Sequence, residues 1–426
     1  MKKLTKILCL IVALTIMAVA MPTMLANRAE AVSMENAIAA SAQTYLGEFS
    51  CHGVYPKQTV SRVAGTYGEL YAGYYIKGEL ETLSANVEPA DNATTTDGKQ
   101  DFAYDSLRTG KRTNSFNIIY SIKGTSSEKK IVLVCNYDNY FEPYLSQDDC
   151  IIASGEAYSE GINASAASVS LMLAFAENIS KNTYDYDIEL VFCGAGYDGN
   201  AGANYYLQTM GKAERERTLL LVDISRIAFG KDVYYYSGEF GSCHEDIYSK
   251  IGLTKFSSGI SGASIDAENA LGYENAGYSG ATVLFSETGL NFLHIFAGSY
   301  DQGIFGGICE YYGRQNVLNT EKDNLDYIAA EDLTANLIKA AKGLVNLLSQ
   351  PNLAAKLATA DGRTMQNIFS NHAIVGWITL IVLLVLLLIS ILVHYGITKR
   401  TYDYAKNNDI SAIMITLDDE DKKDDE

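Results

Sequence analysis

Three short polar segments hold the side chains best suited to chemistry: Asn136-Tyr137-Asp138, Gly196-Tyr197-Asp198 and Asp223-Ile224-Ser225. Each follows an apolar run, Ile131–Cys135, Ile188–Cys193 and Leu219–Val222 respectively. Carboxylates gathered at such points can hold a cation, and Asp198, Glu160 and Glu287 add oxygens that a weak calcium site would tolerate. Histidine is scarce here. His52, His244 and His294 are far apart in sequence, and each reads as a packed or surface residue. No Gly-x-Ser-x-Gly elbow with suitable partners supports serine chemistry.

Of the seven cysteines, Cys9 lies in the N-terminal apolar run. The others, Cys51, Cys135, Cys150, Cys193, Cys243 and Cys309, lack the close pairs of a structural zinc site. Free buried thiols and disulfides both stay open, and Cys135 with Cys193 can be neighbours if their strands are adjacent. The tyrosine run Tyr234-Tyr235-Tyr236 suits a strand face, with a binding surface as the alternative.

These residues need elements to position them. Helical spacing covers Met34–Leu46 and about Glu69–Leu83, and the polar stretch Asn86–Asp101 reads as a loop. Phe116–Ile122 alternates as a strand and turns at Lys123-Gly124. The three apolar runs alternate with helical stretches at Ala164–Ile179 and Gly202–Met210. Ala281–Phe285 fits a further strand, and a last helix covers about Leu325–Leu348. Strands that are apolar throughout and alternate with helices predict an α/β, doubly wound, mainly parallel but mixed sheet with helices on both faces. Ligand sites in open sheets of this kind lie at the carboxyl ends of the strands, where the three polar segments fall.

The ends of the chain differ from the middle. Lys2, Lys3 and Lys6 precede the apolar run Ile7–Ala20, the pattern of an export signal over residues 1–31. Ala29-Glu30-Ala31 offers a cleavage site with Ala26 as a rival, and an uncleaved anchor is the alternative. A second run, Ala373–Tyr395, is long enough to cross a hydrocarbon core of about 30 Å. Trp377 sits near one end, and Lys399, Arg400 and Lys406 lie beyond the other, which puts the C-terminal side in the cytoplasm. The organisation is therefore a signal at 1–31, an extracytoplasmic domain at 32–350, a linker at 351–372, a transmembrane helix at 373–395 and an acidic cytoplasmic tail at 396–426. The expected location is the plasma membrane, single-pass. A formal net charge of −18 with no basic stripe argues against a nucleic-acid partner.

Several motifs follow one another in a telling order. They are Arg62-Val63-Ala64-Gly65-Thr66, Phe116-Asn117-Ile118-Ile119 before Gly124, Ile131 to Asp138, Gly161-Ile162-Asn163-Ala164-Ser165-Ala166-Ala167-Ser168-Val169, Ile188 to Tyr197, Gly202 to Leu207, Leu220 to Asp223, and Leu318 to Asp326. From Met34 to Leu348 this order resembles the family-28 metallopeptidases, the zinc aminopeptidase group that includes transferrin-receptor-like and catalytically silent members. The resemblance implies a zinc-exopeptidase fold. It places Asn136 at a zinc-binding histidine, Asp138 at the aspartate that orients the site, and Ala164 or Ile162 at the bridging aspartate. Gly196 and Tyr197 fall on the two glutamates that serve as general base and zinc ligand, and Asn319 falls on the last histidine. Asp223 alone of the five ligands is kept.

One carboxylate cannot hold two dications, so the expectation is a vestigial site with no catalytic residue, no metal and no cofactor. The chain then binds a peptide or protein partner at the cell surface. An active zinc hydrolase with a remodelled site is the alternative, and a structural subunit or chaperone of a membrane complex is another.

Overall fold

The structure, a computed structural model, describes residues 34–50, 59–140, 151–152, 158–237, 244–256, 281–302, 308–310, 317–358 and 372–407, less positions 85, 92, 94, 127, 299 and 319. The strands are β1 (Thr59–Val60), β2 (Val87–Pro89), β3 (Lys99–Asp105), β4 (Arg112–Ile122), β5 (Lys130–Asn136), β6 (Ile151–Ile152) and β7 (Asp187–Cys193). They continue with β8 (Thr218–Ile224), β9 (Asp232–Tyr236), β10 (Thr254–Lys255), β11 (Phe292–Gly298), β12 (Tyr300–Gln302) and β13 (Ile308–Glu310). The helices are α1 (34–49), α2 (Tyr67–Glu81), α3 (Ala167–Ile179), α4 (Ala201–Thr209), α5 (Lys212–Arg217), α6 (Glu245–Tyr248), α7 (Thr282–Glu287), α8 (Ala330–Leu348), α9 (Leu353–Leu357) and α10 (His372–Asn407).

Strands β5, β7 and β8 are buried along their whole length, as their predominantly apolar runs require, with Glu189 of β7 buried against Lys130 of β5. They form the centre of a nine-stranded sheet among the described residues, in the order β10-β9-β11-β8-β5-β7-β4-β2, with β3 paired on β4. The pairs β5–β7, β5–β8, β8–β11 and β9–β10 are parallel. The pairs β4–β7, β3–β4, β2–β4 and β9–β11 are antiparallel. The expected mainly parallel sheet is therefore evenly mixed, its parallel core flanked by antiparallel hairpin strands. One face packs on α1, α2, α3, α8 and α9, and the other on α4 and α7.

Three local expectations are corrected. The polar stretch Asn86–Asp101 contains β2 and the start of β3 rather than a continuous loop. Ala281–Phe285 is not a strand: Thr282 opens α7, because the buried Asp223 carboxylate accepts its N–H at 3.0 Å and its hydroxyl at 2.8 Å. The strand that pairs with β8 is β11 instead, which carries His294. The final helix begins at Ala330, since Leu325 N–H is tied to Glu160 at 2.7 Å and Gly161 N–H to the Asp323 carbonyl at 3.0 Å.

Cys135 and Cys193 do lie on adjacent strands, but Cys135 pairs with Phe192. That offset of one residue sends the two thiols to opposite faces, and both are free and buried. Tyr234, Tyr235 and Tyr236 fill β9 and are buried, the packing reading of the run. Helix α9 falls in the stretch read as linker. Its Leu353 and Leu357 belong to the core, so the folded unit reaches at least Leu357.

The chain divides into two units, Met1–Gln366 and Asn367–Glu426. The described part of the second is α10, a helix of 36 residues whose stretch Thr379–Tyr404 has the length and composition to cross a membrane. The stretch read as an export signal and the acidic tail lie outside the described residues.

Candidate functional site

Strand β5 ends by delivering Asn136 and Asp138 to the carboxyl edge of the sheet. Asp138 is fully buried and its two oxygens accept the N–H groups of Gly196 at 2.8 Å and Tyr197 at 2.9 Å. It thus fastens the loop that follows β7. Burial, with the nearby Glu69 charge, pushes its carboxyl well above the usual range. Asn136 lies against Gly196 so closely that a Cβ on the glycine would stand 2.1 Å from the asparagine Cγ. The Asn136 Oδ1 is buried with no hydrogen-bond partner.

Tyr197 reaches from the same loop across to the turn before α3, where its hydroxyl donates to the Ala164 carbonyl at 2.9 Å. That turn, Ile162–Ala166, is a single π-helical turn opened by Gly161 at φ 63°. A side chain on Gly161 would strike Asn139 and Arg62. The turn is held from both sides. Asp323 accepts the N–H groups of Asn163 at 2.5 Å and Ala164 at 3.0 Å, and Asn163 Oδ1 accepts those of Ala228 and Phe229, each at 3.0 Å. Burial raises the Asp323 carboxyl to about 7. Beneath it, buried Arg62 donates to the carbonyls of Tyr137, Phe49 and Gly161 and to the Ser165 hydroxyl.

Asp223 is next to last in β8, the strand beside β5 in the sheet. It is committed to Thr282, and burial raises its carboxyl to about 7. Ser225, two residues on, is hydrogen-bonded to His294 Nε2 at 2.8 Å, and the His294 ring stacks on Phe296.

Glu69 was not singled out by the sequence reading. It is buried in the first turn of α2 and accepts Gly65 N–H at 2.6 Å, the Ser115 hydroxyl at 2.8 Å and Ala195 N–H at 2.7 Å. Burial lifts its carboxyl to about 7. The one signal for it is the spacing Thr66-x-x-Glu69 of a helix start. Asp198, an expected calcium-type oxygen donor, is used within the fold: it accepts from Tyr104, Ser106, Leu107 N–H and Arg108 N–H. Glu160 is tied to Leu325. Asn319, His52 and the Glu287 side chain lie outside the described residues.

Direct contacts thus link Asn136 to Gly196, Asp138 to Gly196 and Tyr197, and Tyr197 to Ala164, while Asp223 turns to α7. This donor set does not fit a pair of zinc ions. Asn136 occupies the space a side chain at 196 would need, Tyr197 spends its hydroxyl on a backbone carbonyl, and Ala164 has no ligating atom. Among the described residues no group of three His, Cys, Asp or Glu side chains is arranged to hold a metal ion.

The chain is 24% identical over 177 residues to the alkaline phosphatase isozyme conversion protein of Escherichia coli (strain K12). That match covers 42% of this chain and 50% of that protein, so the chain spans about half the length of the curated relative it matches. Among solved structures, a zinc aminopeptidase from Bacillus subtilis has a TM-score of 0.49 at 13% identity, covering 71% of this chain and 94% of that one. A glutaminyl cyclase from an Acidobacteriales bacterium has a TM-score of 0.48 at 13% identity, covering 74% and 93%. The family model for Peptidase family M28 matches residues 117–340, more than half of the chain, from β4 through most of α8. The chain belongs to peptidase family M28.

Proposed function

We propose that this protein is a non-catalytic, membrane-anchored member of its family that binds a peptide or protein partner outside the cytoplasm. The observation that carries the reading is the contact of Asn136 with Gly196. At that point a zinc peptidase needs a base to activate metal-bound water, and here the space is taken by a neutral amide. The Tyr197 bond to Ala164 supports it, because a polar group spent inside the fold is not free to ligate. What the family scaffold still provides is a rigid sheet edge with a braced loop on either side.

The anchoring part of the proposal rests on α10, with Trp377 toward one end of its apolar stretch and Lys399 and Arg400 toward the other. Cations on the C-terminal side favour a cytoplasmic tail and an outward-facing N-terminal unit.

Elemental analysis of the purified full chain, prepared without chelator, tests the catalytic half. No stoichiometric zinc and no chelator-sensitive release of N-terminal residues from peptides are expected. Stoichiometric zinc together with such turnover would establish the remodelled-hydrolase reading instead. Protease protection of the two sides of the membrane tests the orientation, with the N-terminal unit expected to be cleaved only from outside.

A further inference from the structure

We propose that a pocket between the first turns of α2 and the outward face of the β3–β4 hairpin binds a neutral glycan. Glu69, Gly65 and Ser115 line its floor and are shared with the site described above, but the proposal does not depend on the reading given for that site. The cavity has a volume of about 430 Å³, which suits a small ligand.

Register explains its lining. Asp101 stands opposite Phe116 in the β3–β4 ladder, so Lys99, Asp101, Asn114 and Phe116 share one face. That face meets α2 closely because position 73 is glycine: a Cβ there would lie 2.5 Å from the Phe116 ring. On the helix side Tyr67 is 59% exposed, and its ring lies 6.4 Å from that of Tyr71, centroid to centroid, with the planes inclined by 30°. An exposed aromatic ring and polar side chains therefore line the same pocket.

Charge decides what kind of ligand fits. Lys99 Nζ is 3.1 Å from Asp101 and lies 4.6 Å from the Phe116 centroid and 5.6 Å from that of Tyr74. The cation is already matched by a carboxylate and two rings. A charged ligand would have to break that arrangement, whereas hydroxyl groups can bond to the ammonium and the carboxylate without separating them. A neutral molecule with one apolar face and a rim of hydroxyls meets both walls. A pyranose does so, its C–H face against Tyr67 and its hydroxyls toward Asp101, Lys99 and Asn114. A peptide would make different contacts, since the outer edge of β3 invites strand addition.

The test is saturation-transfer NMR on the full chain in a detergent without a sugar headgroup, such as lauryldimethylamine oxide, because a maltoside would compete. The probes are maltose, cellobiose and N,N′-diacetylchitobiose, with trialanine as the peptide probe. At least one disaccharide should receive saturation on its ring protons, and its binding should weaken about tenfold in Tyr67→Ala and in Asp101→Ala. Tyr327→Ala, which removes an exposed tyrosine elsewhere, should leave it unchanged. Both pocket side chains are exposed, so the variants are expected to fold, Tyr67→Ala at the wild-type melting temperature and Asp101→Ala with at most the small loss of its ion pair with Lys99. Transfer to none of the sugars overturns the proposal. So does sugar binding that survives both pocket substitutions, or binding of trialanine that Tyr67→Ala abolishes while the sugars show none.

Discussion

Asn136 and Gly196 are in contact: the asparagine amide lies where a Cβ at 196 would stand, with Cγ 2.1 Å from that position, so a side chain there requires the amide to move. Neighbouring strands deliver the two residues, and Asp138 holds the 196 backbone in place through its N–H. Gly196→Ala should therefore destabilise the domain by about 1–3 kcal/mol, the usual range for overpacking a well-filled site. Asn136→Ala in the same chain should restore part of that loss by making room. Thermal unfolding of the four members of the cycle checks it, and strictly additive effects would mean that the two side chains do not compete for the space.

Three carboxylates buried by this fold, Glu69, Asp223 and Asp323, have their acid forms favoured up to about pH 7, because burial penalises their charge. Their folded-state pKa values lie above the unfolded ones. They bind protons more tightly when folded, so their contribution to stability is full below about pH 4 and is lost as pH rises through about 7. The melting temperature should fall by several degrees across that window. Asp223→Asn removes the titrating group but keeps an oxygen that can accept from Thr282, and should flatten the slope. A melting temperature that rises from pH 4 to 7 and is unaltered by Asp223→Asn would contradict the assignment.

The parts of this fold legible in the sequence are those where one force dominates. Ile131–Cys135 and Leu219–Val222 are apolar throughout because both faces are covered, and Ile188–Cys193 is broken only by Glu189, whose buried charge is matched by Lys130. Strand β3 was hidden in a stretch read as loop because its buried face includes Gln100, which pairs with Asn117 at 2.8 Å and Thr209 at 3.1 Å. A polar residue satisfied inside the fold breaks the alternation on which strand recognition depends. The run Ala281–Phe285 is too short for its period to distinguish strand from helix, and the deciding group, Asp223, is far away in sequence. At the site, Asn136, Asp138, Gly196 and Tyr197 were found through motif order. Nothing in a single sequence signals that Asn136 fills the space at 196 or that Tyr197 bonds to Ala164, since both depend on loops from separate strands.

Lys130 is 2% exposed at its side chain and sits between Glu189 at 3.0 Å and Glu214 at 2.7 Å, with Tyr206 also donating to Glu189. Replacing it with methionine keeps the length and leaves the Glu189 carboxylate buried without its cation. A loss of about 3–5 kcal/mol is expected. Lys130→Met combined with Glu189→Gln should recover much of it, because the remaining amide carries no charge to desolvate. Chemical denaturation of the single and double variants measures the difference. An undiminished loss in the double variant would show that the uncompensated Glu189 charge is not its source and that Glu214, the other carboxylate on Lys130, is.

Arg62 connects three segments with one guanidinium: the end of α1 through Phe49, the strand end through Tyr137, and the turn before α3 through Gly161 and Ser165. Its backbone N–H also reaches Asn139 at 2.9 Å, so the residue is fixed at both ends. Removing the side chain takes the guanidinium donors from the Phe49 and Tyr137 carbonyls, and Arg62→Ala should cost about 3 kcal/mol or more. Arg62→Lys keeps the charge but cannot direct donors along the separate directions that the planar fork covers, so it should recover only a part. The comparison of the two variants by thermal unfolding is the informative one. Lysine restoring wild-type stability would mean that charge near Asp323 is what Arg62 supplies. Lysine falling well short would mean that it works as a shaped hydrogen-bond donor, holding α1 and the β5 end against the turn that Tyr197 contacts.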